Sequence, residues 1–267
     1  MNKGSHHSIT MTRNEWFAAA FVLVLFCGML VCFEIGRRIG QRTASEEAGK
    51  AGLGVVEGAI FALLGLLVAF TFSGAAERFE GRRHLIIEEA NDIGTAYLRV
   101  DLLPGEAQPE IKDLFRQYVD SRLAIYQDVT DLELMRRRLA QSQELQNEIW
   151  NKSVSAASRS SNTAATMLLV PALNSMFDIA TVRTATREDH PPVIIFAMLA
   201  GIALASSMMA GYEMAGASRR SWLHTLGFSL ILSVSVYVIL DLEFPRLGLI
   251  RVDAYDHYLV DVRNSMK

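Results

Sequence analysis

Four stretches of the chain run without a charged residue: Trp16–Phe33, Gly58–Ala76, Pro191–Tyr212 and Ser221–Leu240. Each is close to the ~20 residues a helix needs to cross a bilayer core. None alternates apolar and polar positions as a membrane barrel strand would. A signal peptide does not fit the first stretch. Its apolar run is too long, and Glu34-Ile35-Gly36-Arg37-Arg38 follows in place of a small-residue cleavage site. The pattern predicts membrane helices over 16–36, 53–76, 192–213 and 221–240.

The connections between these spans are short except for residues 77–191. No glycine occurs between Gly105 and Gly201, and no proline between Pro109 and Pro171. With so few breakers, runs such as Leu132-Glu133-Leu134-Met135-Arg136-Arg137-Arg138-Leu139 read as helix. Leu103-Pro104-Gly105 and Gln108-Pro109 mark a turn, with Pro109 placed to open the next helix. Ile111, Leu114, Phe115, Tyr118, Arg122 and Ile125 then continue one helical stripe. The expected fold is an all-α integral membrane protein with four transmembrane helices and a long helical insert between the second and third. Its segments are an N-terminal tail (1–15), two membrane helices (16–76), an extramembrane insert (77–191), two more membrane helices (192–240) and a C-terminal tail (241–267). The insert's first helix is expected to run on directly from the second span.

Composition fits this picture: 51% of residues are hydrophobic, and 26 Lys and Arg stand against 29 Asp and Glu. That balance argues against nucleic acid as a partner, since a binder needs a basic surplus to displace counterions. Cys27 and Cys32 supply neither a disulfide framework nor a four-ligand zinc site. Gly52, Gly54 and Gly58 miss the dinucleotide fingerprint, and the chain has no Gly-x-Ser-x-Gly elbow and no His-Glu-x-x-His pair. The expectation is a protein that is not an enzyme and has no cofactor and no metal site.

Small residues recur at helix-packing intervals in two spans. Gly54, Gly58 and Ala62, then Gly65, Ala69 and Ser73, are four apart in the second, as are Ala197, Gly201 and Ala205 in the third. Such residues let membrane helices approach closely. They serve packing within one subunit, or one stripe lines a subunit interface or a pore.

Polar residues at the ends of the spans are the other candidates. Glu57 lies about one turn inside the second span. It is either a carboxylate at membrane depth, and so a functional candidate, or an interfacial residue at a helix start. The exit of that span carries Arg78, Arg82 and Arg83, followed by Glu88, Glu89, Asn91 and Thr95. On a continuous helix Arg78 and Arg82 are four apart, and Glu88 shares a face with Asn91, Asp92 and Thr95. A stripe of this kind lines an aqueous vestibule, or it is a solvated face held by structural ion pairs.

Several of these motifs resemble the bacterial bestrophin-like family. They are Gly65–Ser73, Arg78–Arg83, Glu88-Glu89-Ala90-Asn91-Asp92-Ile93-Gly94-Thr95-Ala96-Tyr97-Leu98-Arg99, Leu102-Leu103-Pro104, Leu173-Asn174 with Asp178 and Arg183, Gly211-Tyr212, and Leu240–Ile250. The likeness spans about residues 53–253. Where that family reads Asp-Leu-Asp-Arg-Pro, this chain has Asp241-Leu242-Glu243-Phe244-Pro245, keeping both carboxylates and losing the arginine. The resemblance implies a multi-pass protein of the bacterial cytoplasmic membrane. Bestrophins, related to this family by architecture alone, are pentameric anion channels with four membrane helices and helical cytosolic extensions. The implied partners are therefore the lipid bilayer, further copies of the same chain and inorganic ions. A membrane-anchored scaffold whose insert binds another protein is the alternative.

The density of basic residues in the short connections favours placing these inside and the insert outside, whereas the bestrophin likeness implies a cytosolic insert. Glu89, Asn91 and Asp241 are expected to act as one polar set. Asp241 sits near a helix C-terminus, where the macrodipole disfavours a carboxylate, so it calls for a compensating partner, expected to be Arg78, Arg82 or Arg83.

Overall fold

A computed structural model describes residues 13–43, 50–126, 132–160, 163–187, 189–216, 222–246 and 248–267. Among these the chain is helical and contains no strand. Eight α-helices follow one another: α1 (Arg13–Thr43), α2 (Lys50–Arg99), α3 (Gln108–Ile125), α4 (Leu132–Arg159), α5 (Thr163–Ala185), α6 (Val193–Glu213), α7 (Trp222–Glu243) and α8 (His257–Ser265). Short 3-10 turns follow α2 and α6 and precede α8.

The sequence pattern sets most of these limits. α3 opens with Pro109 in its first turn, where a missing N–H costs nothing. α6 starts directly after Pro191-Pro192, with Pro192 in an extended conformation at its N-cap. α2 runs unbroken for 50 residues, through the end of the second predicted span.

Five helical segments are long and apolar enough to cross a membrane: Ala18–Thr43, Gly54–Leu102, Thr163–Ala185, Val193–Gly216 and Trp222–Glu243. Four of them overlap the predicted spans, each starting one or two residues later. The fifth, α5, lies within the stretch read as the insert. It carries Asp178 and Arg183 and so escapes a search for uncharged runs. Its most apolar window is 39% buried, against 11–28% for the other four.

The chain divides into two units, Met1–Arg78 with His190–Ile250, and Phe79–Asp189 with Arg251–Lys267. In the first, α1 packs against α6 and α7, around Leu25, Met29, Leu64, Leu199, Ala203, Leu232 and Val236. In the second, α3 packs on α4 and α8, and α4 on α5. The core of this unit includes Ile93, Val100, Phe115, Tyr118, Ile149, Leu169, Leu173 and Met176, all at most 1% exposed. α8 closes it: Leu259 is fully buried, and Arg263 donates to both oxygens of Asp120 at 2.8 and 3.0 Å. The C-terminal residues read as a tail thus contribute a helix to this core.

Candidate functional site

In the membrane-type unit α1 and α6 approach closely, and glycine makes it possible. A Cβ at Gly36 would fall on the carbonyl of Met208, one at Gly211 on the carbonyl of Phe33, and one at Gly40 would lie 2.6 Å from the carbonyl oxygen of Tyr212. Without side chains, the two backbones meet where any larger residue would separate them. Gly36 and Gly40 lie outside the small-residue stripes of the predicted spans, among charges just beyond the apolar run of the first span. Gly36→Leu is expected to part α1 from α6 at a cost of at least the ~1–3 kcal/mol typical of overpacking. A thermal melt of the purified full chain checks this.

The stripes that the spacing did select lie elsewhere. On α2, Gly54, Gly58, Gly65, Ala69 and Ser73 are all exposed, together with Ala62. A Cβ at Gly58 or Gly65 would meet no atom within 4 Å. On α6, Ala197, Gly201 and Ala205 are exposed as well, and Gly201 has the same open surroundings. Larger apolar side chains border the α2 stripe: Leu63, Leu66 and Phe70 are 52%, 51% and 67% exposed. The helix therefore presents a face of small residues beside a face of lipid-compatible ones.

Glu57 is not on that small-residue face. It is 7% exposed, and it lines one cleft together with Met208, Tyr212 and Glu213 of α6.

At the other end of this unit, Arg78 donates to Glu243 from both Nε and Nη2, with Nε 2.9 Å from Oε1. Glu243 is 1% exposed, and His190 places Nδ1 3.7 Å from its other oxygen. The His190 ring also lies against Phe244, with centroids 4.8 Å apart. Asp241 does receive compensation for its place in the last turn of α7, but not from an arginine. The backbone N–H groups of Leu249 and Ile250 donate to its two oxygens at 2.9 and 2.7 Å. The chain after Pro245 folds back onto the helix end so closely that a Cβ at Gly248 would overlap the Asp241 carboxylate. Asp241→Ala would leave both N–H groups without their acceptor, at about 1–3 kcal/mol for each one that stays buried. Gly248→Ala should displace the same turn. Faster proteolysis near residue 250 in both variants would report its release.

The helical unit holds the other candidates. Glu89, fully buried on α2, accepts from Arg122 Nε of α3 at 2.5 Å and from Arg183 Nη1 of α5. Arg122 and Arg183 are themselves only 2% and 6% exposed. Tyr126 accepts from Arg122 at 3.1 Å, and its ring lies 3.9 Å from the Arg183 guanidinium carbon. Arg183 also reaches Asp256 beside α8 at 3.2 Å. Burial works against ionisation of Glu89, but the two guanidinium groups outweigh it and hold the carboxyl below its ordinary range. Arg122 is likewise held charged by Glu89 despite burial.

Glu88, Asn91 and Thr95, on another face of α2, are exposed. Arg82 donates to the Asp189 carbonyl at 2.9 Å. Arg83 pairs with Glu80 and lies over the Tyr255 ring at 4.2 Å. Glu89 and Asp241 belong to different units, and each is satisfied within its own. No group of three or more metal-ligating His, Cys, Asp or Glu occurs among the described residues.

Long apolar helices, a glycine-seated pair among them, joined to a helical unit with a buried ion network, define an all-helical multi-pass membrane protein. The bestrophin-like domain family matches residues 21–255, and the chain belongs to that family. No curated protein and no solved structure shows a significant match.

Proposed function

We propose that the protein is a homo-oligomeric ion channel of the bacterial cytoplasmic membrane, conducting small inorganic anions. α1, the first half of α2, α6 and α7 are its four membrane helices, and residues 77–191 form an extramembrane domain. The observation that carries this reading is the small-residue face of α2, from Gly54 through Gly58, Ala62, Gly65 and Ala69 to Ser73, which is exposed along its whole length. A lone membrane helix has no use for such a face. Copies of the chain arranged around an axis would turn it inward, where the absence of side chains leaves room for ions to pass. The exposed stripe of α6 then seats a neighbouring copy. Counting α5 outside the membrane is supported by its burial among Phe115, Ile149 and Tyr118 and by its charges Asp178 and Arg183.

Purified full-length protein in a planar bilayer tests the proposal. Unitary currents whose reversal potential follows the anion gradient are expected. Silence across salts would favour the second reading, a membrane-anchored scaffold. That reading draws on the exposed apolar side chains Met167, Leu168 and Val182 along α5, which would suit a protein partner.

A further inference from the structure

The chain passes between its two units at three places: after Arg78, before His190 and after Ile250. Within the membrane-type unit all three are held by one turn, the last of α7. Glu243, 1% exposed, accepts from Arg78 Nε at 2.9 Å and faces His190 Nδ1 at 3.7 Å. Asp241, two residues earlier, accepts from the backbone N–H groups of Leu249 and Ile250. A backbone bond from the Phe244 N–H to the Leu240 carbonyl, at 3.3 Å, spans both acidic residues. Both carboxylates lie at the negative end of the helix macrodipole, so this turn is unfavourable without the donors it binds. The donors in turn meet their acceptors in these positions only while the turn is wound.

We propose that the last turn of α7 is a latch that holds or releases the three connections to the helical unit together. Unwinding between Leu240 and Phe244 withdraws the acceptors of Arg78, Leu249 and Ile250 in one event. Loss of any one donor weakens the turn on which the others depend. A change in one connection therefore reaches the other two through a single turn of helix. The latch is placed to open without unfolding either unit. The side chains of Arg78 and His190 are 28% and 34% exposed, so water can solvate both as the turn opens. The Glu89 network has no such exit, since both of its arginines are buried. The segment held by Asp241 is equally light. Leu249 is 80% exposed and adds little apolar burial, and the approach of its turn depends on the missing side chain of Gly248. Contacts of this kind open locally at a free energy below that of global unfolding.

Hydrogen–deuterium exchange of the full-length protein in detergent, read by mass spectrometry over peptides 189–199 and 248–254, tests the latch. Glu243→Gln weakens the acceptor of Arg78 and His190. Gly248→Ala pushes the following turn off Asp241 and leaves every cation and carboxylate in place. Each variant is expected to speed exchange at least about tenfold in both peptides, including the one that its own substitution does not touch. Peptides from α3 and α4 should keep their wild-type rates. Gly248→Ala carries the comparison alone should Glu243→Gln not fold. Unchanged rates, or acceleration confined to the peptide nearest each substitution, would overturn the proposal and leave two unrelated contacts. Acceleration spread equally over α3 and α4 would overturn it as well, because the turn would then belong to the global fold. The readout is exchange and not current, so its failure is separate from failure of the channel reading.

Discussion

Replacing Glu89 with glutamine should unfold the helical unit rather than tune a conductance. The substitution keeps the side chain's shape but leaves Arg122 and Arg183 charged and buried, with a neutral amide between them. Breaking a buried pair by removing one partner costs about 3–5 kcal/mol, a large part of the ~5–15 kcal/mol that holds a typical domain together. Loss of the helical unit's cooperative melting, with poor recovery of full-length protein, is the expected result. Unaltered melting with altered single-channel current would instead make Glu89 a conduction residue.

The same network fixes a direction for pH. The folded-state Glu89 carboxyl ionises below its ordinary range. Its contribution to stability is therefore fully present above the unfolded value and is lost as pH falls through the lowered folded one. Melting temperature should hold through mildly acidic conditions and drop only below the ordinary glutamate range. The alternative is a core in which apolar residues replace all three charges together. Because desolvating the ions offsets much of their attraction, such a triple variant should recover stability that the single one loses.

This network was partly legible in the sequence. Ile111, Leu114, Phe115, Tyr118, Arg122 and Ile125 form one predicted stripe, and every member is buried. The charge at Arg122 is the anomaly in it. Glu89 occupies the corresponding place among Ile86, Ala90, Ile93 and Ala96 of α2, and Arg183 among Leu173, Met176, Ile179 and Ala180 of α5. A charge in an apolar stripe must find a counter-charge in another one. Three stripes carrying Glu, Arg and Arg could have been matched on that ground alone. Charge density singled out Glu89 but grouped it with the exposed neighbours Glu88, Asn91 and Thr95 and not with Arg122 and Arg183.

Asp241 illustrates a different limit. Its position at a helix C-terminus announces the need for a partner. The partner is the backbone of a turn eight and nine residues on, and no side-chain pattern encodes backbone donors. The glycine contacts between α1 and α6 were hidden for a third reason. Gly36 and Gly40 are four apart, but Arg37 and Arg38 between them mark the end of the apolar run. The helix itself continues to Thr43, so the seat lies beyond the segment that hydropathy delimits.

The small-residue face of α2 supports the second large effect. Gly65 is exposed and has nothing within 4 Å of a Cβ position, so a side chain introduced there starts into open space within one copy of the chain. Helix content and the core around Leu64 and Met29 should be retained, apart from any gain in helix propensity of up to ~1 kcal/mol from losing glycine. If copies assemble with this face around a central path, each one contributes a phenyl ring to the same ring of positions, and the path closes. Unitary current should then disappear while the protein still folds and still reaches the membrane. Gly36→Leu should do the reverse, damaging the fold of each copy before any question of conduction arises. Leu66→Phe, one position along and on the lipid-compatible face, should change neither. Currents of wild-type amplitude from Gly65→Phe would remove α2 from the conduction path. Loss of current with a shift to monomers in detergent would assign the same face to contacts between copies.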